Sequence, residues 1–421
     1  MSSSLVKILL CLVCFTLFVY VRSKEEEESC ELGSERSARY LLYDVNPGEG
    51  FNLRRDVYLR IANLVRKLNQ FDNWVLVLPP WGNLYHWRNV PRGTYFPWKA
   101  YFDMPSLNKW IQVMEFEDYV KVHGPRIRSA YVLQHYDEEW SGNWQEKYDE
   151  RPCVNEHSFI FREEDEIWHG MKWGTVLEMQ QLKCLSVQGY ASSLLPLLTK
   201  EDDSRSIYLR RSETVLHDDF GGQWYWSARR SMRFAASLLK EAQRFRHEVL
   251  NSDDTHDKTQ VKDDWRDTKP EHGTALGGPY ISVHLRRRDF VHARNSEIPS
   301  LKKAAKQINQ ILKRENLTTV FVATDAPAQE VEELRTLVEG VLVVYEPSTE
   351  VLQRGGDGAV AIIDQIICSH ARYFTGTYES TFSFRIQEER EIMGFQVETT
   401  FNRLCGKNAK CEQPAKWKIS Y

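Results

Sequence analysis

Apolar and polar positions along the chain change period in a regular way. RYLLYDVN (39–46) is an apolar run. It is followed by NLRRDVYLRIANLVRKLN, in which Val57, Ile61, Leu64, Val65 and Leu68 recur at helical spacing and share one face, and then by the apolar run NWVLVLPP. The pattern predicts strand, helix, strand. Past residue 279 the alternation is more regular. YISVHLRR, TVFVATD, VLVVYEP and RYFTGT read as strands. SLKKAAKQINQILKR, QEVEELRTLVEG, GAVAIIDQIICSHA and STFSFRIQEEREI read as helices. Strands separated by helices of about 10–15 residues predict parallel βαβ units and a doubly wound sheet. Residues 85–250 divide less cleanly, although SARRSMRFAASLLKEAQRFRHEVL reads as helical. The segment 251–279 is polar, charged and closed by Gly277-Gly-Pro279. The expected fold is α/β: two Rossmann-like, doubly wound lobes facing across a cleft, at 24–255 and 280–421, with 256–279 as a linker or loop. In such folds ligands bind at the carboxyl ends of the strands, where loops enter helix N-termini.

Composition narrows the class. The 421 residues are too many for one ordinary core, and 42% hydrophobic with 27% charged is globular, with 13 Trp, 19 Tyr and 19 Phe. A net charge of −4 argues against a dedicated nucleic-acid binder, which needs a clear excess of Lys and Arg. Residues 1–23 carry Lys7, a short apolar run and small residues near Ser23, which predicts a secretory signal peptide. The run is shorter than the roughly 20 residues of a spanning helix, and no later run is long enough. Cleavage would remove Cys11 and Cys14. It would leave Cys30, Cys153, Cys184, Cys368, Cys405 and Cys411, an even number in an oxidising compartment. Cys153 with Cys184 and Cys405 with Cys411 are the expected pairs. Cys368, in an apolar helix, could be a free core thiol. Asn316-Leu-Thr318 is a candidate glycan site, and equally an unused loop sequon.

Three loops occupy strand-to-helix positions. In NPGEGFN, Glu49 stands between Gly48 and Gly50 with no sequence-adjacent cation, and could act as a general base or be an ordinary turn glutamate. In VHLRRRDF, Arg286 and Arg287 point to opposite faces, so only one can look into a given site. A guanidinium there suits a diphosphate, and a basic surface strand end is the alternative. In FTGTYESTFSFR, Ser380 or Thr381 is a natural N-cap before a helix whose free N–H groups could hold an anion. Asp364, flanking the apolar face of Val360, Ile363 and Ile367, could accept hydrogen bonds from guanine or be a solvated helix carboxylate. The chain contains no D-x-D, H-E-x-x-H, G-x-S-x-G or Walker P-loop, so no metal ligands are expected and a phosphate site would lean on Arg and helix N-termini.

NPGEGFNLRRD, the H-x-R-R-x-D pattern in HLRRRD, and IIDQIIC followed by STFSFRIQEERE together resemble the protein O-fucosyltransferases. The likeness extends through LPPWGNLYHWRN and TTFNRLCGKNAKC. The resemblance implies a GT-B glycosyltransferase of the endoplasmic reticulum lumen that moves L-fucose, with inversion, from GDP-fucose onto Ser or Thr of folded thrombospondin type 1 repeats. The 24–255 lobe would face the acceptor and the 280–421 lobe the donor, and no cofactor would be required. By the same resemblance Glu49 is the catalytic base. Gly48, Gly50, Phe51 and Asn52 are donor-loop contacts, and His284, Leu285 and Arg286 form the donor-binding strand end, with Arg286 neutralising the diphosphate. Asp364 reads guanine, Ser380, Thr381 and Phe382 contact phosphate and nucleoside, and Glu389 is a second acid needed for activity. The expected protein is a monomer whose partners are the repeat proteins, with no nucleic acid and no membrane span. The ending W-K-I-S-Y departs from a K-D-E-L type retention signal. A catalytically silent, lectin-like or quality-control binder of cysteine-rich repeats, and a fucosyltransferase acting on glycans, are the alternatives.

Overall fold

The computed structural model describes residues 38–137, 144–154, 157–200, 205–294, 296–377, 379–406 and 417–421. The expected signal peptide, Cys30 and Cys411 lie outside them. The first sheet contains β1 (Arg39–Tyr43), β2 (Trp74–Leu78), β3 (Val113–Glu115), β4 (Arg126–Gln134), β5 (Lys147–Glu150), β6 (Ile160–Arg162), β7 (Ile167–Lys172), β8 (Thr175–Gln188) and β9 (Ser206–Arg210). Its order is β3-β2-β1-β9-β4-β8-β7-β6, with β5 also on β8. Pairing is parallel from β3 to β8, and β5, β6 and β7 add antiparallel pairs. This sheet is therefore mixed, where the sequence pattern predicted a purely doubly wound one. The antiparallel strands fall within 85–250, where short exposed strands such as β6 give no clear apolar period.

The second sheet matches its pattern closely. Strands β10 (Gly278–Leu285), β11 (Thr319–Thr324), β12 (Val341–Val343), β13 (Ala371–Gly376) and β14 (Asn402–Arg403) are all parallel, in the order β12-β11-β10-β13-β14. The order reverses between β10 and β13, which brings the loops leaving those two strands side by side. In the first sheet the reversal lies between β1 and β9.

Helix α1 (Phe51–Leu68) buries Val57, Ile61, Leu64, Val65 and Leu68, as their spacing predicts, and also Tyr58 and Leu59. Each such aliphatic side chain, removed from water, stabilises by on the order of 1.5–3 kcal/mol. The long helical stretch before residue 250 is two helices, α2 (Gln223–Ser231) and α3 (Ala236–Leu250). Between them the Phe234 backbone bridges to Phe102 and Ala235 N–H donates to Tyr101 O at 2.9 Å, pairings that outcompete helix continuation. The polar 251–279 segment buries Trp265, and Arg230 donates to the carbonyls of Trp265 and Thr268. The helices of the second half include α4 (Arg288–Ala293), α5 (Leu301–Glu315), α6 (Ala328–Leu337), α7 (Thr349–Ser369) and α8 (Thr381–Met393), followed by a single turn at Val397–Thr400. Cys153 and Cys184 form a disulfide, Cys405 is disulfide-bonded and Cys368 is a buried free thiol. Asn316 is exposed at the left-handed C-cap of α5. Among the described residues no helix is long and apolar enough to cross a membrane.

Candidate active site

The NPGEGFN loop leaves β1 at the reversal point of the first sheet and is pinned from several sides. Asp44, at its root, accepts from Lys172, Arg210, the Tyr208 hydroxyl and the Arg211 N–H. Burial opposes ionisation of Asp44, but these partners outweigh it and hold the carboxyl below its usual range. Asn46 N–H donates to Glu213 at 3.0 Å, and Glu49 N–H closes the turn on Asn46 O at 2.9 Å. Arg54 donates to the carbonyls of Glu49 (3.1 Å) and Pro47 (3.3 Å). A cation five residues on therefore clamps the loop, although Glu49 has no cation adjacent to it in sequence. Arg54 takes the carbonyl oxygens, and among the described residues no hydrogen bond or ion pair engages the half-buried Glu49 carboxylate. A cleft of about 210 Å³ opens beside the loop, lined among others by Pro47, Arg54, Trp81, Lys172 and Trp173.

Gly50 is the N-cap of α1 in extended backbone without a side-chain cap, leaving the first-turn N–H groups of Phe51 and Asn52 outside the helical ladder. A Cβ on Gly50 would lie 3.2 Å from His86 Nε2, whereas one on Gly48 would meet nothing closer than 4.0 Å. The close approach at Gly50 is thus to His86. Phe51 turns its ring into the core against Trp81 (4.8 Å) and Tyr101 (5.6 Å), so only its backbone can serve a ligand. Asn52 Oδ1 accepts from Gln365 Nε2 at 2.8 Å.

Arg286 and Arg287 diverge as strand geometry requires. Arg287 is buried, with Nε on Glu330 at 2.6 Å and Nη1 on Pro299 O at 3.1 Å, a structural role. Arg286, 19% exposed, pairs with Asp289 and Asp325, both at 2.7 Å, and reaches His86 Nδ1 at 3.5 Å. Its backbone N–H donates to Thr377 Oγ1 at 2.9 Å, joining the loops after β10 and β13. Burial, then the Arg286 charge, pushes the His86 imidazole below its ordinary pKa. Tyr85 is close enough to feel the charges of Asp289, Arg286 and Glu49. Tyr85 and His86 thus stand between the Glu49 loop and Arg286. Sequence reasoning missed their role, although the aromatic run LPPWGNLYHWRN at the carboxyl end of β2 carried the signal.

His284 is buried, bonded through Nδ1 to Ser383 Oγ at 2.8 Å and stacked on Phe382 at 4.3 Å. Burial, reinforced by Arg286, pushes it down to about 3, so it is a neutral imidazole. Leu285 points its side chain into the core of the second sheet, so at the expected donor-binding strand end only its backbone is available to a ligand. Ser380 occupies the N-cap position of α8 but its side chain makes no capping hydrogen bond. The first helical bond there is Phe384 N–H to Ser380 O, so the N–H groups of Thr381, which is exposed, of half-buried Phe382 and of buried Ser383 precede the ladder. Asp364 is half-buried on α7 with no hydrogen bond or ion pair among the described residues. Burial pushes its carboxyl up to about 8. Among the described residues Glu389 makes no hydrogen bond or ion pair with these loops. It pairs at 2.5 Å with Arg229, which also binds Glu388 in a buried network with Tyr225, Arg385 and Asp56.

Comparison with known proteins is consistent across sequence and structure. The family described as GDP-fucose protein O-fucosyltransferase matches residues 40–393. A Homo sapiens protein named GDP-fucose protein O-fucosyltransferase 2 is 50% identical, covering 92% of this chain and 91% of its own. A Caenorhabditis elegans protein of the same name is 46% identical, covering 91% and 90%. The solved structure of POFUT1 in complex with GDP-fucose shares the fold at a TM-score of 0.55 and 16% identity, covering 88% of this chain and 98% of that one.

Proposed function

The chain belongs to the GDP-fucose protein O-fucosyltransferase family, and from that membership we propose that it transfers L-fucose from GDP-fucose to Ser or Thr of folded thrombospondin type 1 repeats. The repeat as acceptor and the endoplasmic reticulum lumen as compartment rest on the sequence resemblance. The carrying observation is the disposition of Glu49 and Arg286 on either side of Tyr85 and His86, the one a carboxylate without a hydrogen bond or ion pair among the described residues and the other a cation at a sheet reversal point. Two lobes of GT-B type would bind donor at the β10 and β13 loop ends and acceptor beside the Glu49 loop, toward the cleft lined by Pro47 and Trp173.

In the proposed inverting step the acceptor hydroxyl attacks the anomeric carbon opposite the departing GDP while Glu49 takes its proton. Negative charge grows on the β-phosphate, where donors act more strongly in the transition state than in the ground state. Arg286 and the first-turn N–H groups of α8 meet that charge. Arg286 already shares its charge with two carboxylates, so its task is served by releasing Asp289, the partner that is 49% exposed. Asp364 accepts from the ring N–H and amine of guanine. Glu389 acts at a remove, by holding Arg229 and with it the packing of α8 on α2.

The test is mass spectrometry of a folded thrombospondin repeat incubated with the protein and GDP-fucose. The expected result is a gain of one deoxyhexose, and a repeat that binds without gaining mass would favour the silent binder instead. Glu49→Gln is expected to lower turnover by on the order of 10²–10⁴ while GDP still binds by calorimetry. Wild-type turnover in that folded variant would remove Glu49 from the mechanism.

A further inference from the structure

Beneath the NPGEGFN loop lies a buried guanidinium that, among the described residues, forms no ion pair with a carboxylate; Glu388 and Glu389 act on it only through space. Arg55 is 0% exposed, and its guanidinium carbon sits 5.9, 5.5 and 5.4 Å from the ring centroids of Phe51, Phe102 and Phe234. Its Nε and Nη2 are buried and have no hydrogen-bond partner among the described residues. Among the described residues only Nη1 is engaged, at 2.7 Å with Gln365 Oε1 and at 3.3 Å with Asn52 Oδ1. A charge in such a place costs far more than an apolar side chain of similar volume, so filling space is a poor account of it. The geometry around Nη1 supplies a better one.

Arg is a donor only, so the Gln365 atom facing it must be the amide oxygen. That turns Gln365 Nε2 toward Asn52, which it meets at 2.8 Å. Asn52 is then approached by two donors, and the atom it offers them must be Oδ1. Both amide orientations are therefore dictated by the guanidinium, independently of how the amides would otherwise turn. The Asn52 NH₂ group faces away from the pair. It makes no hydrogen bond among the described residues and is not fully buried. It sits in the first turn of α1, beside the free N–H groups at that helix N-terminus. Gln365 follows Asp364 on α7, so one helix carries both the unpaired acid and the residue that grips the loop.

We infer that Arg55 and Gln365 are positioning residues for the donor. They fix Asn52 with its NH₂ group outward, as a hydrogen-bond donor to an anionic diphosphate-sugar, and they couple the Glu49 loop to the helix bearing Asp364. This rests on the donor reading proposed above. Replacing Gln365 by glutamate isolates the effect, because the new carboxylate still accepts from Arg55 but shows its second oxygen to Asn52. The Asn52 amide then turns NH₂ inward and presents its oxygen to the phosphate.

The experiment is a double-mutant cycle of Gln365→Glu and Asn52→Ala, read by KM for GDP-fucose, kcat, GDP affinity by calorimetry, and melting temperature. Gln365→Glu is expected to weaken GDP-fucose binding about tenfold or more, the scale of one charge-assisted hydrogen bond, with melting temperature held. In the Asn52→Ala background it is expected to add less than about twofold, because the interaction runs through Asn52. Arg55→Lys, which can still donate to Gln365, is expected to retain donor affinity that Arg55→Met loses. That pair carries the test should Gln365→Glu not fold. Unchanged KM and GDP affinity in folded Gln365→Glu, or effects of the two substitutions that multiply, would overturn the inference while leaving the donor reading intact. Absence of GDP binding by the unsubstituted protein would overturn both.

Discussion

Asp364 shows how one residue can carry a measurable signature. Its carboxyl is unpaired among the described residues and burial holds it up to about 8, so near neutrality much of it is protonated. The ring N–H and amine of guanine are two donors that an ionised carboxylate accepts together, whereas a neutral acid has one carbonyl acceptor and a hydroxyl that must itself donate, so guanine binding at Asp364 would favour the ionised form. GDP affinity is therefore expected to rise with pH up to about 8 and to flatten above it, falling by at most tenfold per unit below. Asp364→Asn is expected to bind GDP more weakly and without that dependence, and calorimetry across pH 6–9 checks both. Gly50 makes a second residue-scale case. Its backbone is one that alanine accepts, so Gly50→Ala would act only by pressing on His86 at 3.2 Å. A cost of about 1–3 kcal/mol and a lower turnover are expected, with partial recovery in Gly50→Ala/His86→Ala. Glu49, Arg286 and Asp364 were legible as candidates because charged residues at strand ends and a carboxylate on an apolar helix are visible in a string. Tyr85, His86, Arg55 and Gln365 were not, because their roles depend on partners up to 313 positions away.

At the scale of elements, the helices that carry the site are held where their ends must stay open. Helices α1 and α8 both begin without a side-chain cap, which leaves donors for a ligand at the expense of helix stability. Helix α7 breaks at Gly356, whose φ of +51° lies in the left-handed region. A Cβ there would meet Val90 Cγ2 at 2.3 Å. Gly356→Ala is expected to cost about 1–2 kcal/mol for the backbone alone and more for the clash, read as a lower melting temperature. The helical period of GAVAIIDQIICSHA predicted the second half of α7. The kink escaped because the residues before it lack an apolar stripe, and the contact that needs the glycine comes from residue 90.

At the scale of the molecule, covalent and ionic links join distant parts of the chain. The Cys153–Cys184 bond spans a separation of 31 residues, and in the loop-entropy account it stabilises by about 3–4 kcal/mol. Cys153→Ser/Cys184→Ser is expected to lower the denaturation midpoint by a corresponding amount, checked by chemical unfolding of the folded variant. The buried network of Asp56, Arg229, Arg385 and Glu388 ties α1 and α2 to α8, and removing one partner would strand another charge out of water. The sequence by itself determined the parallel α/β character of the second sheet, the apolar face of α1 and three loops at strand ends, because periodicity and turn chemistry are local properties. Only the tertiary structure decided that the first sheet is mixed, that Gly50 and Arg286 meet at His86, that Phe51 and Leu285 serve the core, and that Arg55 orients Asn52 through Gln365. Each of those depends on which strands lie side by side and on what a side chain meets once water is excluded, and neither is encoded at any single stretch of the chain.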